Sequence, residues 1–147
     1  MKLLSLSILL SLIIFSSCQQ QKTEDPNSDK PFIISNSWMR PGVANRNSAA
    51  FAKITNNTDI ADTLFAVSSD LAKVVEIHET FSKENDMKGM RHIDFIVIPG
   101  NSIVELEPGG FHIMLIGLNK DLKKGDGGMI TFNFKNTGDV DLSIKVK

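Results

Sequence analysis

Among the three histidines and six methionines of this 147-residue chain, four could together bind a soft metal ion: His78, Met90, His112 and Met114. They supply two imidazoles and two thioethers and no thiolate. Thioether sulfur favours soft cations such as copper(I), and imidazole binds several transition metals, whereas Mg²⁺ and Ca²⁺ require oxygen ligands. If these four side chains converge in space, we expect them to bind one copper(I) ion.

His112 and Met114 form the strongest local pattern, His-x-Met within an apolar run. On a β-strand, residues i and i+2 point to the same face with their Cα atoms roughly 7 Å apart, so both side chains can reach one ion. A methionine in a strand is more often core filler and a lone histidine more often structural, so neither residue alone predicts a metal site. Met87 and His92 flank Met90 and are auxiliary candidates; the ordinary alternatives are a loop methionine and a surface histidine.

The remaining sequence has no pattern typical of catalysis. It contains no evident carboxylate pair, no nucleophile with a neighbouring base and no phosphate-binding loop, so we do not expect an enzyme. The formal net charge of −1 gives no reason to expect a nucleic-acid partner. A blue-copper electron-transfer protein would need a cysteine thiolate at its site, and the single cysteine, Cys18, ends an apolar leader.

The beginning of the chain is typical of an exported protein. Lys2 precedes the apolar run Leu3–Phe15, which is shorter than the roughly 20 residues of a membrane-spanning helix. Two small residues, Ser16 and Ser17, then lead directly to Cys18. This arrangement resembles the lipobox of bacterial lipoproteins, which implies lipidation of Cys18. The alternative is a cleaved secretory signal followed by an incidental cysteine.

The predicted organisation has three parts. Residues 1–17 form a lipoprotein signal peptide, residues 18–30 form a polar, lipid-anchored tether, and residues 31–147 form one β domain. We therefore expect the domain to lie on the periplasmic side of the bacterial cell envelope, attached to a membrane through its lipid.

The domain is predicted to be all-β, because short runs rich in Val, Ile, Phe and Thr alternate with Gly, Pro, Asn and Asp. About nine short strands at this spacing indicate a Greek-key sandwich or barrel, cupredoxin-like or immunoglobulin-like. The predicted strands are Phe32–Met39, Ala49–Thr55, Asp62–Val67, Val74–Glu79, His92–Ile98, Ser102–Glu105, His112–Ile116, Met129–Lys135 and Val140–Val146.

Strand periodicity predicts that His78, His112 and Met114 point away from the hydrophobic core. In the run from His112 to Ile116, His112 and Met114 share a face while Ile113 and Leu115 point the other way. His78 likewise lies opposite the face of its apolar neighbour Ile77. Because the apolar partners are suitable core residues, we expect both histidines to face outward or toward a rim. Glu76 and Glu79 are interpreted as solvated strand residues.

The complete pattern resembles the signature of the PCuAC family of periplasmic copper(I) chaperones. His78, eleven residues, Met90, twenty-one residues and His112-x-Met114 follow in order. Further matches extend over nearly the whole domain: Trp38-x-Arg40-Pro41, Ala49-Ala50-Phe51, Ile54-Thr55-Asn56, Asp62-x-Leu64, Glu76-Ile77-His78-Glu79-Thr80, Pro108-Gly109-Gly110 and Leu122-x-x-Gly125-Asp126. Two positions depart from the family pattern, since Glu79 replaces a frequent methionine and Phe51 a common tyrosine.

This resemblance implies a copper(I) chaperone that passes its ion to a recipient protein, such as the copper centre of a respiratory oxidase or its assembly factors. We also expect the protein to be a monomer. Two alternatives remain at this point. A periplasmic copper buffer would share the site and lack a dedicated recipient, and a metal-free β-sandwich lipoprotein would have the four candidate residues dispersed. Because a histidine ligand must be neutral, the sequence also predicts that copper affinity falls below about pH 6.5.

Overall fold

The structure, a computed structural model, describes residues 30–82 and 87–147. The predicted signal peptide, the predicted lipidation site Cys18 and residues 18–29 of the tether lie outside the described residues. No helix within the described ranges is long and apolar enough to cross a membrane.

The described chain forms ten β-strands in two sheets and is an all-β sandwich, as the sequence predicts. One sheet has six strands in the order β1-β2-β7-β8-β4-β5, and the other has four in the order β10-β9-β3-β6. The strands are β1 Phe32–Met39, β2 Ser48–Asn56, β3 Asp62–Ser68, β4 Ala72–Ser82, β5 Lys88–His92, β6 Ile96–Ile98, β7 Ser102–Leu106, β8 Phe111–Leu118, β9 Gly127–Phe134 and β10 Gly138–Lys145.

The hydrophobic core lies between the two sheets and follows the period-2 alternation of the strands. On β8, Ile113 and Leu115 are fully buried in it, and on β4 Ile77 points the same way. The four-stranded sheet contributes Leu64 and Ile130, which are also fully buried. The alternate residues of β4 and β8 must therefore point to the outer face of the six-stranded sheet, which is where the candidate ligands lie.

The prediction of one strand over His92–Ile98 is wrong, because the chain changes sheet within it. Residues up to His92 belong to β5 and pair with β4, whereas Ile96–Ile98 form β6 and pair with β3. The connecting Ile93 still donates its N–H to the carbonyl of Ile77, at 2.9 Å. The apolar run looks continuous because Ile96 and Ile98 enter the core from the other sheet.

An irregularity in β1 places an aromatic pair on the outer face. The pairing of β1 with β2 shifts between Ser35 and Trp38, and Asn36 takes a positive φ of 52°. Asparagine tolerates this left-handed conformation better than most residues. The shift puts Trp38 directly opposite Phe51 with ring centroids 4.5 Å apart.

Candidate metal site

Three neighbouring strands carry histidines in a single row. His78 on β4 lies directly opposite His112 on β8 and, on its other side, directly opposite His92 on β5. Residues that face each other across antiparallel strands project to the same side of the sheet. The ring centroid of His78 lies 5.9 Å from that of His112 and 6.1 Å from that of His92.

The two predicted thioether ligands lie on the same face as this row. Met114 follows His112 by two residues on β8, and Met90 precedes His92 by two on β5. Met90, His112 and Met114 all line one cleft of about 160 Å³ on the outer face of the six-stranded sheet. The fold therefore brings three of the four predicted ligands to one cleft and puts His78 beside His112, although β8 is separated in sequence from β4 and β5.

A turn before β8 sets the orientation of the His112 ring. Gly110 N donates to Glu107 O at 3.1 Å, and Gly109 between them has a φ of 90°. Proline followed by a positive-φ glycine is typical of a type II turn, which explains the local sequence Pro108-Gly109. The turn directs Gly110 O to within 3.1 Å of His112 Nδ1. Because a carbonyl can only accept, Nδ1 carries the hydrogen and Nε2 keeps its lone pair.

His78 is oriented in the same way by a carboxylate. Its Nε2 donates to Glu76 Oε2 at 2.8 Å, which leaves Nδ1 as the nitrogen with the lone pair. His78 Nδ1 and His112 Nε2 are both buried, and neither has a hydrogen-bond partner in the described part of the chain. A buried polar atom without a partner is unfavourable. A metal ion held by both nitrogens would satisfy them.

The distance between the two rings suits this interpretation. Metal–nitrogen bonds of about 2 Å allow two imidazoles on one ion to have ring centroids up to roughly 6.5 Å apart, and the observed separation is 5.9 Å. An imidazole that donates its second N–H to a carboxylate or backbone carbonyl is the usual arrangement of a metal-binding histidine. Both His78 and His112 have that arrangement.

The electrostatic environment keeps His112 neutral. Its pKa is lowered from the ordinary value of 6.5, first because burial disfavours the charged ring. The hydrogen bond to Gly110 opposes this shift, and electrostatic interactions with His78 and with the Arg40 guanidinium add to it. Only 3% of the His112 surface is exposed. The neutral ring that metal binding requires is therefore the form that the fold favours.

The two auxiliary candidates, His92 and Met87, lie outside the cleft lining. His92 belongs to the histidine row but is half-exposed, with its Nδ1 3.9 Å from Asp94 Oδ1, and it does not line the cleft. Met87 is exposed and is likewise absent from the cleft lining. In residues 30–82 and 87–147, no group of three or more His, Cys, Asp or Glu side chains is placed to hold a metal ion.

The interpretation of Glu76 as a solvated residue is wrong, because its carboxylate orients His78. The sequence contains the signal for this role, since Glu-x-His on a strand puts both side chains on one face. The same spacing, Gly-x-His, links Gly110 to His112. Glu79, by contrast, points the other way and forms an ion pair with Arg91.

Comparisons with known proteins agree with this fold. The family described as "Putative lipoprotein LpqE-like" matches residues 33–146. Among curated proteins, "Uncharacterized protein RP573" of Rickettsia prowazekii (strain Madrid E) is 33% identical, over 74% of this chain and 62% of its own length. The chain thus spans about three-fifths of the length of that relative.

Two solved structures show the same architecture. The copper-bound PCuAC domain from PmoF2 matches with a TM-score of 0.66 at 24% identity, over 80% of this chain and 92% of that domain. The solution structure of CuI-DR1885 from Deinococcus radiodurans matches with a TM-score of 0.62 at 24% identity, over 81% of each chain. The described chain has the fold of these PCuAC domains, a cupredoxin-like β-sandwich. By the match over residues 33–146, the protein belongs to the LpqE-like lipoprotein family.

Proposed function

We propose that this protein is a copper(I) chaperone of the bacterial cell envelope, with His78, Met90, His112 and Met114 as ligands of one ion. The observation that carries the proposal is the pair of buried, unpartnered ring nitrogens, His78 Nδ1 and His112 Nε2, beside a cleft lined by two thioethers. Imidazole with thioether is a ligand set that selects copper(I) over harder cations. The PCuAC domains that share this fold include copper-bound ones.

The difference in exposure between the proposed ligands predicts the order in which a recipient would replace them. Met90 is 59% exposed and lies on the edge strand β5, whereas His112 is 3% exposed. A recipient approaching from solvent would replace Met90 first and His112 last. Exchange of one ligand at a time would deliver the ion without its release into solution. This arrangement suits a carrier with no catalytic role.

The proposed cellular setting follows from the family and the leader. Membership of a lipoprotein family supports a lipid anchor, for which Cys18 is the candidate, and hence a place on the periplasmic side of a membrane. The proposed recipient is a copper protein such as a respiratory oxidase centre or its assembly factors, approached by a monomeric chaperone. His92 and Met87 are proposed as auxiliary ligands at most, because neither lines the cleft.

The test is an anaerobic copper(I) titration of residues 30–147 in competition with a chromophoric copper(I) chelator. We expect one tightly bound equivalent, lost in a Met90→Ala/Met114→Ala double variant. A control Met129→Ala variant should bind as the wild type does, because Met129 is exposed and lies outside the cleft. Failure to compete, or binding indifferent to Met90 and Met114, would instead support a metal-free sandwich lipoprotein.

A further inference from the structure

A cation lines the cleft proposed to bind another cation. Arg40, which directly follows β1, and Pro41 line the cleft together with Met90, His112 and Met114. Arg40 is the one Asp, Glu, Lys or Arg among the described residues that line it. Its charge is close enough to lower the pKa of His112. A fixed positive charge this close also repels a copper ion directly, so the position of Arg40 calls for another role.

The Arg40 guanidinium is held in place without an ionic partner. It lies over the ring of Phe51, 5.2 Å from the ring centroid, and Phe51 stacks on Trp38. Within residues 30–82 and 87–147, no carboxylate forms an ion pair with Arg40 and no acceptor takes a hydrogen bond from its side chain. The donor fork of an arginine fixed on an aromatic ring is pre-organised for a carboxylate, which it binds with two parallel hydrogen bonds.

The dimensions of the cleft limit what could occupy it. Pockets for organic ligands usually enclose about 300–1,000 Å³, and this cleft has about 160 Å³. That volume suits one amino-acid side chain better than a free organic molecule. The cleft is also the route to Met114 and the buried His112. A side chain that enters it comes into contact with the metal-binding groups.

We propose that Arg40 recognises a carboxylate side chain of the protein that exchanges copper with this site, and so docks that partner at the cleft. This inference rests on the proposed copper(I) function. Binding of the carboxylate would bring the partner's own ligands next to the exposed Met90. It would also neutralise the fixed positive charge of Arg40, which otherwise repels a copper(I) ion that enters or leaves the cleft.

The first experiment compares copper(I) transfer to two chelators with the same binding core, bicinchoninate, which carries carboxylates, and its uncharged parent 2,2′-biquinoline. In stopped-flow measurements, Arg40→Gln should slow transfer to bicinchoninate about tenfold, the lower end of electrostatic steering. Transfer to biquinoline should stay within about twofold, and the difference should shrink in 1 M salt, where the screening length is about 3 Å. The matched control is Arg46→Gln, which removes an equal charge outside the cleft lining.

Equal slowing with both chelators, or the same effect from Arg46→Gln, would overturn the proposal. The stoichiometry of bound copper(I) is measured first for each variant. Failure of the wild type to bind copper(I) would refute the proposed function. Normal binding, with Arg40→Gln changing transfer to both chelators equally, would refute only the role of Arg40.

The source of the carboxylate is tested by NMR on the wild-type domain. An aspartate-containing peptide should shift the Arg40 Nε–H signal at a lower carboxylate concentration than sodium acetate does, and its asparagine counterpart should not. Equal responses to peptide and acetate would make the cleft a small-anion site. If a Glu84→Gln/Asp86→Asn variant alone moved the same signal, the occupant would be this chain's own acid. Either result would overturn docking of a partner.

Discussion

The chemistry of the site depends on single hydrogen bonds at two histidines. Gly110 O accepts from His112 Nδ1 and Glu76 Oε2 accepts from His78 Nε2. Each bond assigns the ring hydrogen to one nitrogen and leaves the other free. The free nitrogens are the buried ones, so the hydrogen bond of the other ring nitrogen decides which atom of each histidine is available to the proposed metal ion.

The role of Glu76 leads to a prediction at the residue scale. Glu76→Ala should weaken copper(I) binding about 10- to 100-fold, the usual effect of removing the partner of a metal-binding histidine. Glu76→Gln keeps an acceptor oxygen and should recover part of the loss. Glu79→Ala is the matched control, because Glu79 pairs with Arg91 away from the site. Competition with a chelator measures all three, and equal affinities for Glu76→Ala and the wild type would contradict the assignment.

The lowered pKa of His112 alters the expected pH dependence. Because burial holds the folded pKa below 6.5, protons compete for Nε2 only at lower pH than they would for a free imidazole. The unfolded chain takes up the proton first, so the contribution of neutral His112 to stability is full above pH 6.5 and declines as pH falls toward the folded value. We expect the His112 Cε1–H signal of the metal-free protein to titrate with a midpoint below 6.5. A midpoint at or above 6.5 would be inconsistent with this burial.

At the scale of elements, the turn between β7 and β8 holds the Gly110 carbonyl in the position that orients the His112 ring. Gly109 has a φ of 90°, and an added Cβ would meet nothing within 4 Å, so a side chain there is opposed by backbone strain alone. The turn between β8 and β9 is its counterpart: Asp126 N donates to Lys123 O, and Gly125 has a φ of 92°. It lies outside the residues that line the cleft.

These two turns give a matched pair of substitutions. Gly109→Ala and Gly125→Ala should each destabilise the fold by about 1–2 kcal/mol, the strain of a left-handed alanine. Only Gly109→Ala should also weaken copper(I) binding, because it displaces the Gly110 carbonyl that orients His112. Urea unfolding gives the stability and chelator competition the affinity. The same affinity for both variants would show that the turn does not control the site.

At the scale of the whole molecule, a buried carboxylate joins two parts of the four-stranded sheet. Asp62, at the start of β3, is 3% exposed. Its Oδ1 accepts from Thr63 N and Asn136 N, and its Oδ2 accepts from Thr137 N in the β9–β10 turn. Burial alone would raise its pKa, but these hydrogen bonds outweigh burial and hold the pKa below the ordinary 3.8.

Stability should therefore depend on Asp62 in a particular pH range. A carboxyl with a depressed folded pKa stabilises the fold above its unfolded pKa, and this contribution is lost as pH falls below about 4. Asp62→Asn should lower the free energy of unfolding at pH 7 by about 1–3 kcal/mol, with a smaller difference at pH 3. Asp139→Asn, which changes an exposed acid of the same hairpin, should alter stability little. Urea unfolding at both pH values checks this, and a pH-independent deficit would contradict it.

Much of the fold could be predicted because strand patterning is local. The alternation in β8 puts Ile113 in the core and His112 with Met114 on the opposite face, whatever the partner strand. The all-β class and most strand positions were correctly predicted for this reason. The change of sheet after His92 could not be predicted, because the run to Ile98 is equally compatible with one strand and only pairing partners distinguish the two arrangements.

The sequence by itself determined the types of the candidate ligands, their faces and the soft-metal chemistry that such side chains favour, because these depend on side-chain identity and a period of two. Only the tertiary structure decided the register that sets His78 opposite His112, the choice of free ring nitrogen and the approach of Arg40 to the cleft. The physical reason is that these features depend on hydrogen bonds and packing between residues distant in sequence. Local patterning restricts which face a residue occupies but not which residue it meets.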